Sequence, residues 1–324
     1  MGIDFHMDFD PPPFDHKIRY GDQIFLLGSC FTNHLYERFH LHKFHVHQNP
    51  HGILFNPVSM LHSIDSYVQG KHIAEDELFF DQGLWHHWDF HSAFSHENRQ
   101  VAASAMNHQV QEGKTFLKNS QWIFLTLGSA FVYKLEGERI VANCHKIPAD
   151  RFQRTLLDPS AIKNLFFDSL ARLRSINSDI RMVLTVSPVR HLRDGFIENN
   201  RSKAVLLHAI DMICQSDPSI YYFPSYELII DDLRDYRFYA EDMVHPNYLA
   251  TQYVWDKFVH ACVDGKTQEA MKEISQLQQA LKHRPLHPLS SEHIKFRNKY
   301  LQKAVELSQR FPQINFGDEI AFFS

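Results

Sequence analysis

Apolar residues along this chain fall into short, nearly unbroken runs, separated by longer stretches in which they recur every three or four positions. The runs are Gln23–Leu27, Phe44–His47, Trp122–Leu127, Met182–Val186 and Ile220–Phe223. Their β-branched and aromatic content predicts strands, and a run such as WIFLTL fits a strand covered on both faces. The clearest of the intervening segments carries Ile162, Leu165, Phe166, Leu170 and Leu173 at helical spacing. Asp158 is its expected N-cap and Pro159 its first helical residue, and Asn56-Pro57 opens another helix in the same way. Strands alternating with helices predict an α/β fold: three layers, doubly wound, with a mostly parallel five-stranded sheet.

Beyond residue 264 the strand pattern stops. One helix is expected through Ala270, Ile274, Leu277 and Leu281, and a second through Ile294, Leu301, Ala304, Val305 and Ser308, with HRPLHPLS between them. The division expected is 1–264 for the sheet domain and 265–324 for a helical extension packed on or beside it.

Composition narrows the functional classes. With 44% hydrophobic residues in 324, the chain can bury a sizeable core. A net charge of −5 and no basic block speak against nucleic acid. No apolar stretch approaches the roughly 20 residues of a membrane span. The opening MGIDFHMDFDPPPF lacks the apolar core of a signal peptide, and Gly2 fails as a myristoylation signal because position 6 is His. Four unpaired-looking cysteines fit a reducing, cytoplasmic setting. No cofactor is expected.

In an open α/β sheet, chemistry gathers at the carboxyl ends of the strands. The first strand runs into Gly28-Ser29-Cys30-Phe31 and then a helix. Gly28 permits a tight turn, and Ser29 at the helix start either caps it or sits among free N–H groups that stabilise an oxyanion. After the last strand, Asp242 and His245 stand three residues apart, so a turn can bring them to one face. His245 then offers one ring nitrogen to Ser29 while Asp242 orients the other.

GSC followed by FTNHL, with ILFNPVS, VANCHKIP, SPVRHLRDGFIENNRSKA and RFYAEDMVHP in order across residues 20–260, resembles the GSCFA family, whose name spells the first motif. That family looks related to the SGNH (GDSL-like) hydrolases. The resemblance implies a flavodoxin-like sheet with Ser29 as nucleophile and with Asp242 and His245 supplied by one DxxH. The sequence departs from the superfamily pattern in two places. Gly28-Ser29-Cys30 stands where that pattern has Gly-Asp-Ser, and Gly128-Ser129-Ala130 where it has Gly-x-Asn-Asp. The asparagine of the oxyanion hole is therefore missing from its place. Ser129, Asn143 and the backbone N–H groups of Cys30 and Gly52 are the candidate replacements.

Rival readings attach to several residues. Cys30 is itself a candidate nucleophile if a helix N-terminus and a nearby His depress its pKa. Trp85-His86-His87-Trp88-Asp89-Phe90-His91 matches no standard zinc spacing and reads as a hydrogen-bonded core edge, or as a substrate-lining loop through Trp85 and His91. His45 and His47 share a strand face, and His145 follows Asn143-Cys144; each reads as a satisfied polar group, with His145 also a candidate substrate contact. Arg190 and His191 should reach the same rim as Ser29, where Arg190 either grips an anionic or sugar-bearing substrate or pairs with Asp194 or Glu198. The expected function is a serine esterase or acyltransferase acting on acyl, foremost acetyl, esters of a carbohydrate or small metabolite. The alternative is a carbohydrate-binding or scaffold protein on a degenerate hydrolase fold.

Overall fold

A computed structural model describes residues 9–135 and 138–324, except the side chain of Asp194; Gly2 lies outside these residues. The chain runs β1 (Gln23–Gly28), α1 (Phe31–Leu41), β2 (His45–Gln48) and α2 (Pro57–Gln69). A hairpin of β3 (Phe79–Asp81) and β4 (Leu84–His86) precedes α3 (Arg99–Asn119) and β5 (Trp122–Leu127). A small antiparallel sheet follows, from β6 (Phe131–Lys134), β7 (Ile140–Val141) and β8 (Gln153–Leu156). Then come α4 (Pro159–Arg174), β9 (Arg181–Val186), α5 (Gly195–Cys214), β10 (Ile220–Tyr222), the single turn α6 (Ser225–Glu227) and α7 (Tyr248–Cys262).

The central sheet has the order β10-β9-β5-β1-β2, and every pair is parallel. Counted along the chain this is 2-1-3-4-5, a doubly wound order whose switch point lies between β1 and β5. Successive side chains of a strand point to opposite faces, and the core follows that rule. Phe25, Leu27, Ile123, Leu125, Met182 and Leu184 pack under α2, α3, α4 and α5. Ile24, Leu26, Trp122, Phe124 and Val183 pack under α1 and α7. The expected caps form: Asp158 accepts from the N–H groups of Ser160 and Ala161, and Asn56 from that of Ser59. The hairpin β3–β4 and the three-stranded sheet were not anticipated; their strands are short and only half-buried.

The extension holds α8 (Gly265–Leu281), α9 (Ser291–Arg310) and a third, unanticipated helix, α10 (Gly317–Phe323). It has its own small core of Ile274, Leu277, Ala304, Leu307, Phe316 and Phe323. Lys43 bonds Glu319 and His42 meets Ser275, which ties the extension to the end of α1. Among the described residues no helix is long and apolar enough to cross a membrane.

Candidate active site

The site is built at the switch point. Gly28 ends β1 with φ +146°, and a Cβ there would lie 2.4 Å from the Thr126 carbonyl oxygen, so β1 and β5 can approach this closely only at glycine. The Gly28 N–H is taken by Asn49 Oδ1 at 2.8 Å, and the Ser29 N–H by the Thr126 carbonyl at 3.1 Å. Those bonds turn Ser29 inward. Its side chain is 0% exposed and its hydroxyl has no hydrogen-bond partner.

The next residue faces the other way. Cys30, at the N-cap position of α1, places Sγ 3.6 Å from His245 Nε2. His245 Nδ1 lies 2.6 Å from Asp242 Oδ2. An ionised carboxylate only accepts, so Nδ1 carries the proton and Nε2 is the acceptor that meets the thiol. The placement expected for Ser29 is thus corrected: the residue brought to His245 is Cys30, because the strand-to-helix turn directs the serine into the core.

The Asp242–His245 turn is held from several sides. Asp242 Oδ1 accepts the N–H groups of Val244 and His245, and Ala240 N–H donates to the His245 carbonyl at 2.7 Å. The His245 N–H, the His245 ring and the Val244 N–H hold the Asp242 carboxyl down at about 2, so it is charged across the neutral range. Burial pushes the Cys30 thiol up. The backbone N–H groups of Cys30 and Phe31 and the Lys203 charge oppose that, and Asp242 adds to it. A thiol of this kind rests protonated and needs a base; His245 is in place.

Beneath the rim lies a residue the sequence reading quoted but did not single out. Lys203 is 2% exposed, and its Nζ donates to the carbonyls of Gly128 at 2.7 Å and Ser187 at 2.6 Å. Those carbonyls lie just beyond β5 and β9. Among the described residues no carboxylate pairs with Lys203, and burial lowers its pKa to about 7. Burying a lysine this deep without a counter-ion is costly, and the two carbonyl acceptors offset only part of that cost. The signal in sequence was only a lone lysine on the inward face of a helix.

A model of the GSCFA family matches residues 23–258. The chain belongs to the GSCFA family. A second model, described as the GSCFA domain protein C-terminal domain, matches residues 274–324, within the helical extension. No curated protein matches the chain.

In this GSCFA member several expected contacts serve other purposes. Arg190 bonds the Met243 carbonyl through Nη1 at 3.0 Å, and its guanidinium stacks 3.9 Å from the Tyr239 ring centre. It clamps the turn that carries His245 and at the same time lines the cleft beside it. Glu198, one partner weighed for it, pairs with Arg201 instead; the side chain of Asp194 lies outside the described set. The Gly52 N–H is spent on the Asn49 carbonyl at 2.7 Å, which removes Gly52 as an oxyanion donor. The Ser129 hydroxyl meets Ser202 and accepts the Phe131 N–H, and Asn143 Oδ1 accepts the His145 N–H. The Cys30 N–H acts on its own thiol, helping to lower its pKa against burial.

A cleft of about 830 Å³ opens beside this point, lined by Phe55, Ser129, Asn143, His145, Arg190 and His191 among others. Cys30 and His245 are not among its lining residues; Arg190, which holds the His245 turn, is. His191 and Phe55 pack over Gly128, and His191 Nε2 is buried without a partner. Burial, with the Lys203 charge next, lowers its pKa to about 4, so the ring is neutral.

Trp85 and His91 fall outside this cleft. Trp85 carries the Arg99 guanidinium 4.5 Å from its ring centre, and His91 caps a turn by accepting the Ala93 N–H. His145 forms a wall, with its nitrogens facing Ser92 Oγ and the His87 carbonyl. His45 and His47 both lie against Phe116. Among the described residues no three His, Cys, Asp or Glu side chains converge to hold a metal ion.

Proposed function

We propose that this protein is an acyl-transfer enzyme in which Cys30 is the nucleophile, His245 the general base and then acid, and Asp242 the group that fixes the imidazole. The observation that carries the reading is the chain of contacts from Sγ to Nε2, 3.6 Å, and from Nδ1 to Oδ2, 2.6 Å, at the carboxyl edge of the sheet. His245 takes the thiol proton as sulfur attacks the ester carbonyl. The tetrahedral oxyanion forms against the Cys30 N–H, with the neutral His191 ring as a nearby second donor. Collapse expels the alcohol, which receives the proton from His245 and leaves a thioester on Cys30. Water, activated by the same imidazole, hydrolyses the thioester; a second alcohol in its place makes the reaction a transfer.

The strand order, a nucleophile after the first strand and a DxxH pair after the last support placing the family among the SGNH-type hydrolases. On this reading a cysteine stands in the position of the usual serine. Acetyl esters of a carbohydrate or small metabolite are the first substrates to try. A reducing, cytoplasmic setting suits the chemistry, since all four cysteines are free and Cys30 must stay a thiol.

Turnover of 4-nitrophenyl acetate by wild type, Cys30→Ala, His245→Ala and Ser29→Ala tests the reading. Activity should vanish in the first two variants and persist in the third. Activity that survives Cys30→Ala but not Ser29→Ala returns the role to the serine. A folded wild type inert toward every activated ester supports a binding protein on a degenerate fold.

A further inference from the structure

The geometry points to an anionic substrate: the cleft beside Cys30 holds a carboxylate or phosphate group on Lys146 and Arg193, with the apolar part of the same molecule against Phe55, Phe131 and Phe152. The acyl-transfer reading is needed only for the fate of the ester, not for this binding.

The local charge opposes the global one. The chain carries 38 acidic against 33 basic residues, yet the described cleft lining includes Lys146, Arg190 and Arg193 and no Asp or Glu. Arg190 is committed to the His245 turn. Lys146 and Arg193 are exposed, and neither has an ion pair or side-chain hydrogen bond among the described residues. The Arg193 charge reaches into the cleft: burial raises the pKa of the lining thiol Cys144, and Arg193 opposes it.

Lys146 is also held in place. It lies in a turn with φ +63°, fixed by the His145 N–H on Asn143 Oδ1 and the Ile147 N–H on the Cys144 carbonyl. Two uncompensated cations at the mouth of a concave, otherwise acid-free site attract an anion and repel a cationic ligand. Phe55, Phe131 and Phe152 also line the cleft, one face of Phe131 being covered by the Arg154 guanidinium, and the remaining ring surface suits an acyl chain or a ring better than a second charged group. Neutral His145 and His191 add no competing charge.

The test is equilibrium binding of three non-reacting probes, 1-naphthyl phosphate, 1-naphthoate and neutral 1-naphthalenemethanol, followed by calorimetry. Wild type should bind both anions about tenfold more tightly than the neutral probe, as two partly exposed ion pairs allow, with the preference shrinking as salt rises. Lys146→Gln/Arg193→Gln should lose that preference, and Lys146→Arg/Arg193→Lys should keep it, which separates charge from fold. Tighter binding of the phosphate supports a phosphate-bearing metabolite, and tighter binding of the naphthoate a carboxylate-bearing one. Equal affinity for charged and neutral probes, or a preference that survives in the folded Gln variant, overturns the inference. Cys30→Ala, titrated in parallel, should keep the anion preference, so failure of the thiol chemistry and failure of the anion site are read apart.

Discussion

Two regions of this molecule are rich in histidine, and they do opposite things with it. Around the β3–β4 hairpin, His51 and His86 are buried against neutral partners. His51 lies 2.6 Å from the Tyr67 hydroxyl and stacks on Phe90, and His86 sits between Ser95 Oγ and the Asp81 carbonyl. At the carboxyl edge of the sheet, His245 is half-exposed, with a carboxylate on one nitrogen and a thiol on the other. A histidine in the first setting is a hydrogen-bonding aromatic, neutral because burial pushes His51 down to about 3. In the second its ring stands between a carboxylate and a thiol, the arrangement that the proposed proton transfer needs. The count of histidines therefore carries little information; the partners and the exposure carry most of it.

The comparison is broken most directly by exchanging consequences. His245→Ala or Cys30→Ala should lower kcat/KM for an activated ester by about 10³-fold or more while leaving the melting curve close to wild type. His51→Ala should do the reverse. It opens a cavity and strands the Tyr67 hydroxyl, at a cost of about 2–5 kcal/mol in denaturant unfolding, with activity per folded molecule retained. If His51→Ala instead abolished turnover in a folded protein, the division between the regions would fail.

Asp242→Asn comes next, with an expected loss of about 10²–10⁴ in kcat because the imidazole loses its fixed tautomer, measured at saturating substrate. Lys203→Met should cost activity about tenfold by removing the positive charge near Cys30, and it carries a signed pH signature. Folding lowers the lysine from its ordinary value near 10.4 to about 7. The unfolded chain thus binds more protons between those values, and wild-type stability rises with pH across that window. The wild type should gain on Lys203→Met as pH goes from 7 to 10, and a flat difference would contradict the burial argument. The smallest effect belongs to Ser29→Ala. Removing a buried hydroxyl that has no partner should leave activity within about threefold and change stability by about 1 kcal/mol or less, in the stabilising direction.

Much of this was legible in the sequence. The five central strands and the Asp158-Pro159 and Asn56-Pro57 helix starts follow from periodicity and capping chemistry, which are local. The pairing of Asp242 with His245 was legible for the same reason. Whether Ser29 or Cys30 faces His245 was not. The answer depends on which way two adjacent side chains point at a strand-to-helix turn, and that is set by the Ser29 N–H reaching across to Thr126 from a strand about 100 residues on. Residue type alone points to the serine, whereas the contact with His245 belongs to Cys30. The task of Arg190 was hidden similarly, since its partners Tyr239 and Met243 come from a turn distant in sequence. The cleft was hidden too, because it needs the small β6–β8 sheet, whose half-buried strands leave a weak apolar pattern.

The most direct measurement of the central claim is the site of the covalent intermediate. Wild type is mixed briefly with 4-nitrophenyl acetate, quenched in acid and mapped by peptide mass spectrometry. An added acetyl group on Cys30, absent in His245→Ala and unaffected by Ser29→Ala, is the result expected. An acetyl group on Ser29, or adducts on Cys30 formed equally fast without His245, would contradict the account.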